Sequence, residues 1–225
     1  MHAMILAAGR GERMGALTAA QPKPLLRLNG ETLIARQLGR LAAAGCSDVV
    51  INLSYRGDQI RAAVGDGSRF GLKVRYSQEP ATPLETAGGI IAALPLLGDA
   101  PFLLVNADVV SDFDFALLAA ARRSGRDSVS GTLVLVPNPD HHPQGDYGLG
   151  PGGRLRMAEP RYTYSGIALL APALFAGLAP GRRPLSQVFD PAIAAGRLGG
   201  LLHPGLWIDV GTPARLTAAA VAARD

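Results

Sequence analysis

The chain of 225 residues has only one cysteine, Cys46, so it has no disulfide framework. No apolar run reaches the ~18 residues of a membrane-spanning helix, and no charged segment followed by an apolar core precedes the first predicted strand. We therefore expect no membrane partner and a cytoplasmic protein. The formal net charge is +4, but the basic residues are scattered, which argues against a nucleic-acid partner.

Two common phosphate-binding motifs are also missing near the N-terminus. Residues 5–14 read Ile-Leu-Ala-Ala-Gly-Arg-Gly-Glu-Arg-Met. No Gly-x-x-x-x-Gly-Lys-Ser/Thr run follows Gly9, which disfavours a P-loop. A dinucleotide fingerprint needs a third glycine where Met14 stands, so that motif is disfavoured as well.

What this stretch does contain is a short apolar strand that runs into a glycine-containing loop. Gly9 and Gly11 permit a tight turn in which backbone amides point at one spot. Arg13 and Lys23 add two positive charges, and Lys23 lies between two prolines that restrict its backbone. A simple strand-to-loop turn would explain the glycines alone, but the combined pattern predicts a site for a polyphosphate.

The remaining pattern predicts an α/β fold in one domain over residues 1–225. Hydrophobic residues make up 48% and charged residues 18%, which suits a compact enzyme. Strands and helices alternate in the first half, so we predict a doubly wound, mostly parallel sheet. The predicted helices are 31–44, capped by Asn29 or Thr32, then 58–64, 85–97, 114–124, 185–195 and 212–223. The predicted strands are 48–52, 73–77, 102–106, 130–136, 163–170 and 207–210, with a long loop and short hairpin over 138–153.

Three strand ends carry polar residues that should meet at one edge of this sheet, because open parallel sheets bind ligands at the carboxyl ends of their strands. These are the loop after Leu6, the segment ending at Glu79, and the segment from Asn106 to Asp108. Asp108 and Asp209 each follow an apolar run, where a carboxylate can bind Mg²⁺. Taken singly, each could equally be a loop-end or helix-capping aspartate.

The pattern Leu-Ala-Ala-Gly-x-Gly-x-Arg-Met over residues 6–14, followed by Leu17-Thr18 and Pro22-Lys23-Pro24-Leu25, resembles the signature of the sugar-1-phosphate nucleotidyltransferases. Two departures are Ala16, where that family usually has a proline, and Ala107, where it usually has a glycine. The resemblance implies a Rossmann-like nucleotide-diphospho-sugar transferase fold. It also implies that a nucleoside triphosphate and a sugar 1-phosphate are the partners, with Mg²⁺ as the cofactor.

The resemblance further assigns roles to individual residues. The catalytic set is Arg13, Lys23, Asp108 and Asp209, of which Asp108 and Asp209 are the metal ligands. The nucleotide-binding set is Leu6, Ala8, Gly9, Gly11, Arg13, Lys23, Glu79, Thr86, Gly88 and Asn106. The sugar-binding set is Asp146, Glu159, Ser165 and Gly166. For the run over residues 83–89, whose amides are expected to face a ligand, a helix cap with glycines for close packing is the competing interpretation.

The substrate is predicted from one loop together with a resemblance over nearly the whole chain, which implies a step of cell-wall sugar salvage. Residues 138–147 resemble a loop of the short N-acetylmuramate-1-phosphate uridylyltransferases, which implies UTP and N-acetylmuramate α-1-phosphate as substrates. The lactyl carboxylate of that sugar needs a cation, and Arg154, Arg156 and Arg161 are candidates. The adjacent His141 and His142 are expected to point apart, which disfavours a metal site built on them.

Several alternatives stay open. Within the family these are a mannose-1-phosphate guanylyltransferase and a glucose-1-phosphate thymidylyl- or uridylyltransferase. A cytidylyl- or guanylyltransferase of isoprenoid or cofactor synthesis shares the glycine loop, but Pro24 and the segment 207–212 argue against it. A catalytically silent nucleotide-sugar sensor belongs to a different class, and it should have lost one of the four catalytic charges. The oligomeric state is not predicted.

Overall fold

A computed structural model describes residues 1–123 and 130–223. Its strands are β1 His2–Leu6, β2 Arg27–Leu28, β3 Glu31–Thr32, β4 Asp48–Leu53, β5 Lys73–Gln78, β6 Phe102–Asn106, β7 Val109–Ser111, β8 Gly131–Val136, β9 Tyr147–Leu149, β10 Leu155–Arg156, β11 Arg161–Leu170, β12 Leu198–Leu202 and β13 Trp207–Asp209. Its α-helices are α1 Leu33–Ala43, α2 Gly57–Val64, α3 Glu85–Leu97, α4 Ala116–Arg123, α5 Ser186–Ala194 and α6 Pro213–Ala222. Short 3-10 helices cover Glu12–Thr18, Lys23–Leu25, Ser68–Phe70, Pro151–Gly153 and Pro172–Phe175.

Four parallel strands form the centre of the sheet, in the order β5-β4-β1-β6. The apolar runs of β1, β4 and β6 are buried on both faces, as expected for strands covered by helices on each side, whereas β5 at the edge of the sheet is only partly buried. Leu6 at the end of β1 lies opposite Asn52 of β4 and Asn106 of β6. The chain adds β4 and β5 on one side of β1 and then places β6 on the other side. Such a switch point opens a ligand crevice at the carboxyl ends of the strands.

The second half of the chain extends the same sheet in a mixed way. β11 pairs antiparallel with β6 and with β8, while β12 pairs parallel with β8. β9 and β10 form the short hairpin that the sequence predicts, and β9 also pairs with β11. The predicted doubly wound, Rossmann-like sheet is confirmed, but its parallel character is confined to the central strands and the β8-β12 pair.

The helices begin and end close to their predicted positions because their capping signals are local. Thr32 caps α1, since its hydroxyl accepts a hydrogen bond from the Ala35 amide at 3.3 Å. Gly45 follows the end of α1 with a φ of 79°. The predicted helix 114–124 is shorter, as α4 begins at Ala116, and its last predicted residue lies outside the described ranges. Among the described residues, no helix is both long and apolar enough to span a bilayer.

A separate two-stranded sheet brings the C-terminal part of the chain to the central crevice. β13 pairs antiparallel with β7, and Asp209 lies opposite Val109. The Val210 amide donates a 2.8 Å hydrogen bond to the Asp108 carbonyl. Thr212 then caps α6 by accepting a hydrogen bond from the Arg215 amide at 3.3 Å. This pairing sets the two candidate metal-binding segments next to each other.

Candidate active site

A cavity of about 270 Å³ lies at the carboxyl edge of the central strands. It is bounded by the loop after β1, by the end of β6 and by the start of α3. This is the edge at which the polar strand ends were predicted to converge. The predicted site residues that line the cavity are Leu6, Ala8, Gly9, Gly11, Lys23, Glu79, Thr86, Asn106 and Asp108.

Gly11 couples the glycine loop to the segment that carries Lys23. Its φ is 67°, a left-handed conformation that side chains disfavour. A Cβ at this position would lie 3.0 Å from the Lys23 Cβ and 3.2 Å from the Thr18 Cγ2. The Gly11 carbonyl accepts hydrogen bonds from the Met14 amide at 2.9 Å and from the Thr18 hydroxyl at 3.0 Å. These contacts pack the glycine loop against Lys23 and Thr18, and they leave no room for a side chain at position 11.

Lys23 and Asp108 form an ion pair inside the cavity. The Lys23 Nζ donates a hydrogen bond to the Asp108 Oδ2, and their side chains are 14% and 24% exposed. Pro22 adopts an extended conformation just before the short 3-10 helix Lys23–Leu25, which directs the lysine toward the end of β6. A partly buried amine next to a carboxylate gives the cavity one fixed cation and one oxygen ligand side by side.

Asp209 lies outside the lining of the cavity but beside Asp108 along the paired strands β7 and β13. Its Oδ1 accepts a 2.7 Å hydrogen bond from the Arg215 Nη1 and lies 3.1 Å from the His141 Nε2. His142 points elsewhere, with its Nε2 3.1 Å from the Asp146 Oδ1. The two histidines thus point apart, as the sequence predicts. Arg215 and the contact of His141 were not predicted.

The donor set fits Mg²⁺ only with help from a ligand. No cluster of three or more His, Cys, Asp or Glu side chains suited to a metal occurs in the described part of the chain. Asp108 and Asp209 offer two carboxylates, and Mg²⁺ in nucleotide enzymes is commonly held by one or two carboxylates plus substrate phosphates. The two residues therefore suit a metal that arrives with a phosphate-bearing ligand.

A buried chain of hydrogen bonds supports the floor of the cavity. The Ala7 amide donates to the Asn52 Oδ1 at 2.7 Å, and the Asn52 Nδ2 donates to the Glu79 Oε1 at 2.7 Å. Burial raises the pKa of the Glu79 carboxyl, against the hydrogen bond from Asn52. Glu79 therefore supports the loop as well as lining the cavity. Sequence reasoning missed Asn52, although, like Asn106, it lies near the end of a buried strand.

Gly88 has a packing role that differs from the predicted one. The Ala87 and Gly88 amides donate to the Arg183 carbonyl at 3.0 and 3.1 Å. A Cβ on Gly88 would lie 2.3 Å from the Gly181 carbonyl oxygen. The expectation that the Gly88 amide faces a ligand is wrong, because this amide already donates its hydrogen bond to the Arg183 carbonyl. Thr86 does line the cavity.

Glu85 marks the rim of the cavity next to that segment. It has a φ of 57°, which is uncommon for a residue with a side chain. Its Oε1 accepts a 2.7 Å hydrogen bond from the Arg182 Nε. The Glu85 side chain is therefore held at the cavity by a surface arginine, and sequence reasoning did not identify either residue.

The predicted sugar-binding residues do not appear in the lining of the cavity as the described residues form it. Asp146 accepts hydrogen bonds from the Tyr164 amide at 2.7 Å and from His142. Ser165 is buried, and its hydroxyl accepts from the Ile167 amide at 3.2 Å. Each of these side chains binds backbone nearby, and its contact with the sugar stays a prediction.

Glu159 and Gly166 show the same pattern. The Glu159 side chain is 76% exposed and forms a 3.5 Å ion pair with Arg161. Gly166 has a φ of 78°, and a Cβ there would lie 2.5 Å from the Asn106 Nδ2, so Gly166 makes room for a cavity residue.

The three candidate arginines for the lactyl carboxylate are also engaged outside the cavity. Arg154 donates to the Gly196 carbonyl, Arg156 donates to the Glu159 carbonyl at 3.2 Å, and Arg161 pairs with Glu159.

The comparisons with known proteins identify the family. The family model described as "Nucleotidyl transferase" matches residues 2–150, which include the glycine loop, Lys23 and Asp108. The chain belongs to the nucleotidyl transferase family. The family predicted from the motif over residues 6–25 is thereby confirmed, and the matched range ends before Asp209.

Relatives of known activity extend the match over nearly the whole chain. The N-acetylmuramate alpha-1-phosphate uridylyltransferase of Neisseria meningitidis is 47% identical over 220 residues, covering 96% of this chain and 95% of the relative. The enzyme of the same name from Caulobacter vibrioides is 34% identical and covers 97% and 95%. The mannose-1-phosphate guanylyltransferase catalytic subunit beta of Dictyostelium discoideum is 30% identical, and the match spans only 62% of it.

Solved structures with low sequence identity confirm the fold. A putative glucose-1-phosphate thymidylyltransferase from Bacillus anthracis superposes with a TM-score of 0.86 at 21% identity, covering 100% of this chain and 96% of that one. HddC from Yersinia pseudotuberculosis, in complex with GMP-PN, gives a TM-score of 0.80 at 19% identity, with 98% of each chain covered.

Proposed function

We propose that this protein transfers a uridylyl group from UTP to N-acetylmuramate α-1-phosphate, giving UDP-N-acetylmuramate and pyrophosphate. The observation that carries the proposal is the Lys23–Asp108 ion pair, set beside the glycine loop at the crevice between β1 and β6. The choice of substrates is supported by two uridylyltransferase relatives that this chain matches over 95% of their length. The location we propose is cytoplasmic, where nucleoside triphosphates are available.

The reaction needs cations more than it needs a base. A phosphate oxygen of the sugar 1-phosphate attacks the α-phosphorus of UTP in line, a new P–O bond forms, and the bond to the β-phosphate breaks. The nucleophile is already ionised at neutral pH, so no side chain has to remove a proton. Negative charge grows on the α-phosphoryl oxygens and on the leaving pyrophosphate, and fixed positive groups stabilise it.

The cations of the site divide this work. Lys23 neutralises the α-phosphoryl group and the incoming sugar phosphate. The backbone amides of the loop 8–12, together with Arg13, hold the β- and γ-phosphates. Asp108 and Asp209 would hold Mg²⁺, which, when bound, supplies Lewis-acid stabilisation of the reacting phosphates. Thr86 and Glu79 border the side of the cavity where we place the uridine.

A test of the base separates this proposal from its strongest competitor, a mannose-1-phosphate guanylyltransferase, to which a 30% identical relative points. UTP, GTP, dTTP and CTP are each incubated with N-acetylmuramate α-1-phosphate and with mannose 1-phosphate. Pyrophosphate release is measured, and products are identified by mass. We expect UDP-N-acetylmuramate as the main product. GDP-mannose as the main product would contradict the proposal, and binding of nucleotides with no pyrophosphate release would support a silent sensor.

A further inference from the structure

Arg215 is a largely buried cation that the proposed mechanism does not use. It lies in the first turn of α6, and its side chain is 16% exposed. Its Nη1 donates to the Asp209 Oδ1 at 2.7 Å and lies 2.5 Å from the His141 Nε2. Its Nε is buried and has no hydrogen-bond partner within the described residues. One carboxylate oxygen and one imidazole nitrogen, both at Nη1, therefore satisfy only part of this guanidinium, which carries five N–H donors.

Arg13 and Arg215 converge over Gly211. A Cβ added to Gly211 would lie 2.1 Å from the Arg215 Nη2 and 3.1 Å from the Arg13 Nη2. The absence of a side chain at Gly211 thus makes room for two guanidinium groups at one place. Arg13 itself is exposed and forms no ion pair or side-chain hydrogen bond with any residue that the structure describes.

The charges around this point do not balance without a ligand. Arg13, Lys23 and Arg215 contribute three positive charges, whereas Asp108 and Asp209 contribute two negative ones. Two guanidinium groups brought together at Gly211 repel each other, and an anion bound between them would relieve that repulsion. A metal ion on the aspartates would increase this excess of positive charge, and an anionic ligand would balance it.

A purely supporting role for Arg215 explains less. A role in holding Asp209 accounts for the contact of the Arg215 Nη1. It does not account for the position of the Arg215 Nη2, which lies over Gly211 next to the Arg13 guanidinium. Arginine forms paired, charge-assisted hydrogen bonds to phosphate through its planar fork, and it is favoured wherever phosphate is bound in this way. The free donors of Arg215 face the side where Arg13, a predicted phosphate ligand, already lies.

We infer that Arg215 and Arg13 together form a clamp for the terminal phosphates of the nucleoside triphosphate, the group that leaves as pyrophosphate. This inference rests on the proposed function for the identity of the ligand. Arg215 then has two partners in turn: Asp209 in the free protein, and phosphate oxygens in the complex. Arg215 is thus a phosphate-binding residue contributed by the C-terminal helix α6.

The test measures binding of pyrophosphate by isothermal titration calorimetry in the presence of Mg²⁺, so it does not depend on turnover. Arg215→Met keeps the aliphatic stem and removes the charge. Because hydrogen bonds to charged groups contribute about 1.5–3 kcal/mol, we expect pyrophosphate binding to weaken roughly tenfold or more. Arg215→Lys should restore only part of the loss, because lysine lacks the fork. Arg13→Met combined with Arg215→Met should be non-additive, because both residues bind one group.

The matched control is Arg75→Met. Arg75 resembles Arg215 in that it pairs with an aspartate, Asp48, at 3.8 Å and has a buried Nε without a partner in the described structure. It lies on β5, outside the lining of the cavity, so we expect wild-type affinity for pyrophosphate.

A second titration with N-acetylmuramate α-1-phosphate tells the two phosphate sources apart. We expect Arg215→Met to bind this sugar phosphate with an affinity within about twofold of the wild type, since the clamp binds the leaving pyrophosphate and not the sugar phosphate. Unchanged pyrophosphate binding, or equal weakening for both ligands with a lowered melting temperature, would overturn the inference and leave Arg215 as a support for Asp209. If the wild-type protein binds no pyrophosphate at all, the proposed function fails instead.

Discussion

Asp108 immediately precedes β7 and Asp209 ends the paired strand β13, yet the two carboxylates are neutralised in different ways. Asp108 follows the buried strand β6, lines the cavity and pairs with Lys23, which another segment of the first half supplies. Asp209 follows the short strand β13, lies outside the cavity lining and shares Arg215 with His141. The Asp108 carboxylate is paired with a lysine inside the cavity, whereas the Asp209 carboxylate is paired with an arginine that has unused donors. The first half of the chain therefore supplies the proposed reaction centre, and the second half adds the proposed phosphate contact of Arg215 beside it.

The largest expected effect tests whether both sides serve the same chemistry. Asp108→Asn or Asp209→Asn should lower kcat roughly 100-fold or more, the scale on which loss of a group that stabilises transition-state charge acts. Circular dichroism should show an intact fold, because asparagine has the same size. Steady-state pyrophosphate release is the measurement. Full activity of either variant, or activity that persists in excess chelator, would contradict a metal held by the two aspartates.

The next effect distinguishes chemistry from binding on the Asp108 side. Lys23→Ala should lower kcat by about tenfold or more, and it should weaken triphosphate binding less. The reason is that negative charge on the α-phosphoryl group increases in the transition state. Lys73→Ala is the matched control, since Lys73 is an exposed lysine at the start of β5. A Lys23→Ala variant with raised KM and unchanged kcat would show that Lys23 only binds substrate.

Much of the Asp108 side could be predicted from the sequence because its signals are local. The apolar strand, the two glycines, Arg13 and Lys23 lie within residues 5–25, and their register survives in the structure as the packing of Gly11 against Lys23. The limits of α3 and β6 match their predicted limits because helix and strand periods differ clearly there.

The second half was harder to predict because its contacts join distant segments. β12 was missed, since Leu-Gly-Gly-Leu-Leu offers two glycines to a strand pattern, although backbone pairing with β8 secures it. Glu159 and Ser165 were predicted to bind sugar; they contact nearby backbone and Arg161 in the structure, and the sugar contact stays a prediction. Arg215 was missed because nothing near it in the sequence shows that Gly211 leaves room for its guanidinium beside Arg13.

A smaller effect tests the corrected role of Gly88. Gly88→Ala would place a methyl group against the Gly181 carbonyl, and we expect it to lower the free energy of unfolding by about 1–3 kcal/mol. Gly39→Ala, in α1, is the control, because nothing lies within 4 Å of a Cβ there. We expect that control to be neutral or stabilising by up to ~1 kcal/mol. Equal unfolding free energies for the two variants would show that the segment 181–183 moves to accept the methyl group, and would contradict the packing role of Gly88.

The smallest effect concerns the hydrogen-bond chain under the cavity. Burial raises the pKa of Glu79 in the folded protein, so the folded state binds a proton more tightly than the unfolded one. The contribution of Glu79 to the free energy of unfolding is complete below the pKa of the unfolded chain, about 4.3. It is lost as pH rises through the pKa of Glu79 in the folded protein. Glu79→Gln keeps the acceptor for Asn52 and should gain stability relative to wild type over that rise. Urea unfolding across pH 4 to 7 measures it, and a pH-independent difference would contradict the assignment.

The most direct test of the whole account compares two sugars that differ by one carboxylate-bearing group. The ratio of kcat/KM for N-acetylmuramate α-1-phosphate to that for N-acetylglucosamine 1-phosphate is measured with UTP and Mg²⁺. We predict a clear preference for the muramate sugar, because two relatives matched over 95% of their length are N-acetylmuramate alpha-1-phosphate uridylyltransferases. Equal values for the two sugars, or a preference for mannose or glucose 1-phosphate with GTP or dTTP, would contradict the account.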